Sequence, residues 1–328
     1  MLAVAARCAA STGLSSRTIP ARIVVQGNGA GMILCFDIGG SRIKAAWAQG
    51  AEIEPLGDAP TPAQDFAAFV QTLAGFAKGR RPRGVAISIA GVVDPETQAL
   101  RVANIPCADK RRLAPELQDA LGLPVLVLND ADCFAMAEAR QGAGQGHRTV
   151  FGVILGTGVG GGLVIDGRLV SGSGGYAGEW GHGPVAKTQV DGVTLPAFPC
   201  GCGLTGCLDA VGGARGIERL YQAVHGAEAS SHTILSDWQA GDAAATRTVT
   251  VWRALLAPPL AMILNTVGAS IVPVGGGLSN VPALIATLDE AVRGMILRRT
   301  SGPLVVPALC RVEPGLIGAA AAAEVAFG

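Results

Sequence analysis

Apolar positions recur with two periods along this chain, and their alternation predicts an α/β protein. The run Ile33-Leu34-Cys35-Phe36 reads as a buried strand ending in Asp37-Ile38-Gly39-Gly40-Ser41. A second apolar stretch follows over 43–47, so the two form a hairpin across a glycine turn. Over 62–78, Phe66, Phe69, Val70, Leu73 and Phe76 fall at helical spacing, and 85–89 reads as a buried strand. A helix over 113–121 stops at Gly122 and Pro124 and leads into a strand over 125–128. Asn129 and Asp130 stand where that strand ends and a helix over 131–141 begins.

The plan then repeats. A strand over 150–155 runs into Gly156-Thr157-Gly158-Val159-Gly160-Gly161-Gly162, and a return strand over 163–165 ends in the turn Asp166-Gly167. Each hairpin has an apolar strand, a glycine turn with a hydroxyl and a returning strand, which predicts two related halves facing one cleft. A later helix over 247–266 contains Pro258-Pro259, where it should kink or split. A strand over 271–274 runs into Gly275-Gly276-Gly277. The alanine-rich helix over 315–327 is expected to pack back on the first half, which makes the smaller domain discontinuous.

At 328 residues the chain is long enough for two domains with a sizeable core. A formal net charge of zero and the lack of any basic run argue against nucleic acid or an anionic membrane as partner. The scarcity of aromatic residues also disfavours a base-stacking surface. No apolar run reaches membrane-spanning length without interruption. Residues 1–31 carry Arg7, Arg17 and Arg22 and no acid, a composition superficially like a targeting peptide. Without a clear apolar core, the segment reads as a disordered tail or a misassigned start, and the fold opens at Met32.

Three features suggest chemistry. Gly178-Glu179-Trp180-Gly181-His182 is followed by Cys200-Gly201-Cys202-Gly203-Leu204-Thr205-Gly206-Cys207, so one histidine and three clustered cysteines offer four ligands for a structural, tetrahedral Zn²⁺. Reduced thiols in a glycine-rich loop would be the better reading of a lone cysteine, but three within eight residues, with glycines that let the backbone wrap an ion, favour the metal. The scattered Cys8, Cys35, Cys107, Cys133 and Cys310 read as small core residues or thiols of a reducing compartment. Glycine turns after strands suit phosphates, because bare backbone N–H groups converge where a Cβ would obstruct, though each alone also serves as a tight hairpin. Together with Asp37, Ser41 and Thr157 they fit a nucleotide held between two domains, with Asp37 placed to hold Mg²⁺ through water. Asp130, at the carboxyl end of a strand, suits a general base, and it equally suits a helix cap.

These motifs, in this order, resemble those of the ROK family of sugar kinases from about residue 32 to the end. The resemblance implies the actin-like, hexokinase-type ATPase fold (ribonuclease H-like), two lobes around a central cleft. It implies a small lobe of 32–129 plus 312–328 and a large lobe of 130–311 with a zinc-stapled loop. It assigns Asp130 as the base that deprotonates a sugar 6-hydroxyl for attack on ATP. It assigns Gly91, Asn104, Asn129, Glu179, His182 and Asp209 to the sugar, and His182, Cys200, Cys202 and Cys207 to zinc. Asp37, Gly39, Gly40, Ser41, Gly156, Thr157, Gly158, Gly160, Gly161, Gly276 and Gly277 fall to ATP and its Mg²⁺.

Two departures stand out: Ser41 replaces the family's usual Thr, and Asp209 replaces its usual Glu, retracting a carboxylate by one methylene. Within the family, Val102-Ala103-Asn104-Ile105-Pro106, the segment 129–139 and Gly276-Gly277-Leu278-Ser279-Asn280 look most like bacterial N-acetylglucosamine kinases. That implies N-acetyl-D-glucosamine 6-phosphate as product, with glucokinase or fructokinase activity as alternatives in the same class. A non-catalytic sugar sensor or ROK-type regulator is the alternative of another class; the segment before Met32 is too short for a DNA-binding helix pair. The resemblance also implies a cytoplasmic homodimer.

Overall fold

A computed structural model describes residues 31–50, 52–77, 79–94 and 96–328; the tail expected over 1–31 lies, but for Gly31, outside them. The first sheet is built around β1 (Ile33–Ile38), whose apolar run is buried on both faces. β2 (Arg42–Gln49) returns antiparallel to it, and β3 (Glu52–Pro60) pairs antiparallel with β2 at the sheet's edge. Pro55 and Pro60 are tolerated there because an edge strand leaves some N–H positions unpaired. α1 (Phe66–Gly75) starts where the Asp65 carboxylate accepts from the N–H groups of Ala67 and Ala68, and it buries Phe69, Val70 and Leu73.

β4 (Gly84–Ile89) pairs parallel with β1, and a short antiparallel pair, β5 (Val92–Val93) and β6 (Leu100–Arg101), follows. α2 (Leu113–Leu121) ends on the left-handed Gly122 and feeds β7 (Val125–Asn129), parallel to β4. The order is therefore β3-β2-β1-β4-β7.

After α3 (Asp130–Gln141) the topology repeats. β8 (Thr149–Leu155), β9 (Val159–Ile165) and β10 (Arg168–Leu169) form an antiparallel run. After the loop with β11 (Gln189–Val190) and β12 (Val193–Thr194) come α4 (Asp209–Gly212), α5 (Ala214–His225), α6 (Ser231–Gln239) and α7 (Ala243–Val267). β13 (Val272–Gly275) then pairs parallel with β8, α8 (Pro282–Arg293) follows, and β14 (Val305–Pro307) is parallel to β13. The second order, β10-β9-β8-β13-β14, repeats the first strand for strand. The chain closes with α9 (Pro314–Phe327).

Two expectations are corrected. The glycine loop over 156–162 is shorter: β9 already begins at Val159, and Gly160, Gly161 and Gly162 pair with Ile154, Val153 and Gly152 of β8. They are bare for packing reasons, since a Cβ at Gly161 would strike Trp180 and the Gly178 carbonyl, and one at Gly162 would strike Ala131 and Ala135 of α3. α7 is one helix and is not split at Pro258-Pro259, because its buried stripe of Trp252, Leu255, Leu256, Leu260 and Leu264 lies on both sides of the prolines. That helix also passes the length and apolarity of a membrane span; 56% of its most apolar window is buried, as befits a core helix.

The two sheets meet through α3 and α9. α9 packs Leu316, Ala319, Ala320 and Ala323 with Ile33, Cys35, Ala46 and Ala86 of the first sheet, and Ala321 and Ala322 with Val150 and Val164 of the second. Alanines suit a helix pressed between two sheets and a second helix. Contact with α3 is closest at Gly318, where any Cβ would collide with the Cys133 carbonyl.

Candidate active site

Three parallel strands of the first sheet end side by side and deliver the site's chemistry. Register places Asp37 opposite Ser88 and Ile89 opposite Asn129, so Asp37, Asn129 and Asp130 gather at one carboxyl edge. Ser88 Oγ donates to Asp37 Oδ1 at 2.9 Å. Asn129 caps α3 by accepting from the Ala131 N–H at 2.8 Å, while its Nδ2 donates to the Gly91 carbonyl at 3.0 Å. Capping therefore falls mainly to Asn129. Asp130 accepts only a share of the same N–H at 2.9 Å, which leaves its carboxylate for other work.

Burial pushes the Asp130 carboxyl up to about 6; the Ala131 N–H opposes this, and the charges of Asp37 and Glu179 add to it. Asp37 is raised by burial as well, moderated by Ser88 and Lys44. Two carboxylates desolvated side by side invite a cation. Both line a cavity of about 410 Å³ between the sheets, with Ser88, Phe134, Gly275, Gly276, Ser279, Asn280, Arg311 and Gly315. A wider depression of about 610 Å³ against α5 holds none of the expected site residues.

Glu179, whose charge Asp130 feels, is itself raised by burial and lowered by His182. His182 works in two directions. Its Nδ1 is 3.6 Å from Cys200 Sγ, while its Nε2 is 3.8 Å from Glu179 Oε2. Cys202 Sγ and Cys207 Sγ are also 3.6 Å apart, and ligand atoms of the four residues all lie within 4.8 Å of one another. Zn–S bonds of about 2.3 Å at tetrahedral angles put two sulfurs about 3.8 Å apart, so the donor set fits zinc. The Leu204 N–H lowers the Cys202 thiol, whereas burial pushes its neighbour Cys200 up to about 12. Asp209 faces this cluster: its Oδ1 accepts from the Val159 N–H at 2.9 Å and its Oδ2 lies 3.6 Å from Cys200 Sγ.

The first glycine turn is braced by Thr61, whose hydroxyl donates to the Gly39 carbonyl at 2.8 Å and whose N–H donates to the Ser41 carbonyl. Gly40 lies against Asn104, with 3.0 Å left for a Cβ. Gly156, Thr157 and Gly158 form the turn between β8 and β9, and a Cβ at Gly158 would collide with the Asp209 carboxylate. Gly276 is left-handed, and its bare Cα faces Leu155 and Gly156, so the second and third glycine turns lie together; Gly277 is open.

The sequence profile of one family spans residues 33–325. The chain belongs to the ROK family. It is 36% identical over 264 residues to N-acetylgalactosamine kinase AgaK of Shewanella sp. (strain ANA-3), covering 79% of this chain and 85% of that protein. To N-acetyl-D-glucosamine kinase of Pasteurella multocida (strain Pm70) it is 33% identical over 295 residues, covering 87% and 97%. A ROK hexokinase from Thermus thermophilus superposes with a TM-score of 0.78 at 30% identity, covering 90% of this chain and all of that one. The actin-like, two-sheet architecture of ROK sugar kinases is thus the fold of this chain.

Several residues of this ROK site escape sequence reading. Ser88 sits inside an apolar strand, and only its register opposite Asp37 gives it a role. Gly315 opens α9, and a Cβ there would strike the Asp37 carboxylate. Asp132 is 6% exposed and its carboxyl makes no hydrogen bond among the described residues, although its helix position looks unremarkable in sequence. Burial, with Glu179 and Asp130 nearby, raises it to about 7.

An ordinary carboxyl titrates near about 4, so between there and pH 7 folded Asp132 holds a proton that the unfolded chain gives up. Its ionisation therefore opposes folding increasingly as pH rises through that window, with the full penalty above it. Asp132→Asn is expected to raise the melting temperature relative to wild type more at pH 8 than at pH 5. Equal differences at the two pH values, followed by thermal unfolding, would contradict this.

Proposed function

We propose that this ROK protein is an ATP-dependent sugar kinase that converts N-acetyl-D-glucosamine to N-acetyl-D-glucosamine 6-phosphate. The observation that carries the reading is Asp130 itself, which lines the Asp37–Gly276 cavity and lies close enough to Glu179 to feel its charge. A base at that junction takes the proton of the 6-hydroxyl as its oxygen attacks the γ-phosphorus. The bond to the β-phosphate oxygen breaks, and ADP leaves with the charge. Such transfer requires alignment and charge neutralisation more than covalent help, and the cavity between repeated sheets supplies the first.

Mg²⁺ enters with ATP, and Asp37 is the carboxylate to meet it through water. Gly39, Gly40, Ser41, the turn 156–158, Gly276 and Gly277 face the phosphates in this reading; Gly160 and Gly161 support the turn from within β9. Zinc on His182 Nδ1, Cys200, Cys202 and Cys207 would fix the loop that carries Glu179, leaving the Nε2 side of His182 for sugar hydroxyls. Gly91, Asn104 and Asn129 complete the sugar side. Asp209 contributes here by joining the zinc loop to the 156–158 turn, and its carboxylate is partly engaged in doing so. Thiolate ligands require a reducing compartment, which supports the cytoplasm, and the homodimer is carried over from the family resemblance.

A second reading keeps the kinase and moves the substrate to N-acetylgalactosamine, favoured by the AgaK relative at 36% identity. Comparing kcat/KM for N-acetylglucosamine, N-acetylgalactosamine, glucose and fructose by ADP release decides between them. Preference for N-acetylglucosamine upholds the proposal, and preference for the 4-epimer overturns its substrate while leaving the chemistry.

A further inference from the structure

The Asp37–Asp130 cavity brings two carboxylates toward a nucleotide that carries several negative charges, and the glycine turns offer it only neutral N–H groups. Arg311 is the one cationic side chain among the described residues lining that cavity. It makes no side-chain hydrogen bond or ion pair among the described residues. Lys44, the other cation beside Asp37, is occupied by Glu313, with Nζ donating to Oε1 at 2.9 Å.

The backbone that carries Arg311 is held firmly. The Ala308 N–H donates to the Val274 carbonyl at 2.8 Å, extending β14 along β13. Glu138, fully buried on α3, accepts from the Cys310 N–H at 2.6 Å, the Ala143 N–H at 2.8 Å and the Leu309 N–H at 3.3 Å. A charged acceptor on backbone N–H groups is a strong tether. α9 then starts at Pro314, with its positive end over Asp37. An unpaired guanidinium is thus presented at the cavity wall by a loop anchored to both β13 and α3.

Resting on the kinase reading above, we infer that Arg311 binds the phosphates of the nucleoside triphosphate and neutralises their charge. Guanidinium matches phosphate oxygens with two parallel N–H donors, which a lysine does not.

The test titrates MgATP calorimetrically, without sugar, into wild type, Arg311→Ala and Arg311→Lys, and measures steady-state KM for MgATP and for sugar in each. Arg311→Ala is expected to weaken MgATP binding and raise its KM about 10- to 100-fold, as for a lost hydrogen bond between charged groups. KM for sugar and the melting temperature should stay at wild-type values, and Arg311→Lys should recover part of the loss. Inorganic tripolyphosphate should lose affinity by the same factor in Arg311→Ala, which assigns the contact to phosphate rather than base. Unchanged MgATP and tripolyphosphate affinity in Arg311→Ala overturns the inference. Absence of sugar-dependent turnover in wild type would instead overturn the kinase reading, and the tripolyphosphate comparison still decides on Arg311.

Discussion

Asp130→Asn is expected to lower kcat by about 10²- to 10⁴-fold, the range for removal of a general base, while sugar binding remains measurable. The substitution is nearly isosteric, and Asn129 still caps α3, so the fold should persist. It also removes a carboxyl whose ionisation is opposed by burial, so stability above pH 6 should not fall. The same carboxyl sets the acid limb of the pH profile. A base must be deprotonated, and burial raises Asp130 to about 6, so turnover should decline as pH falls through 6 rather than through the ordinary carboxylate range. Steady-state kinetics of the two proteins from pH 5 to 8 check both points, and near-normal turnover of Asp130→Asn would remove Asp130 from its role.

The second large effect is expected at the cysteine cluster. Cys202→Ala takes one of four ligands from a set whose donor atoms lie within 4.8 Å of one another. Zinc content measured by elemental analysis should fall from one ion per chain toward none, and a strong chelator should do the same to wild type. Metal binding contributes directly to folding free energy, so the melting temperature should drop by several degrees or more. Turnover should fall too, by about 10- to 100-fold, because His182 and Glu179 lose their support while Asp130 is untouched. Full zinc content and an unchanged melting temperature in Cys202→Ala would remove Cys202 from the ligand set, and wild type purified without zinc would show that the cluster holds no structural metal.

Much of this was legible in sequence because the relevant pattern is local. Buried parallel strands are continuous apolar runs, so β1, β4, β7, β8 and β13 announce themselves, and the glycine turns mark where two of the hairpins reverse. The repeat of a strand, a glycine turn and a return strand foretold two like sheets. β3 was not legible, because an exposed edge strand with prolines at Pro55 and Pro60 carries no alternation. α5 and α6, over Ala214–His225 and Ser231–Gln239, carry no motif; they lie between the zinc loop and α7.

In the site, Asp37 and Asp130 line one cavity, and His182 gathers with Cys200, Cys202 and Cys207 in a separate cluster. What sequence cannot show is which neighbours each acquires. Ser88 depends on strand register, Asp132 on what covers α3, and Arg311 on a loop tethered by a glutamate far away in the chain. Gly160 and Gly161 show the converse: a glycine run that reads as a phosphate loop is partly a packing device.

In the proposed reaction this cleft transfers phosphate from ATP to the 6-hydroxyl of an N-acetylated amino sugar. Phosphorus and proton NMR of the product formed from ATP, Mg²⁺ and N-acetyl-D-glucosamine tests it most directly. The expected product is a phosphomonoester coupled to the two C6 protons, formed together with ADP and absent without sugar. A product phosphorylated at the anomeric carbon, or ADP formation indifferent to sugar, would contradict it.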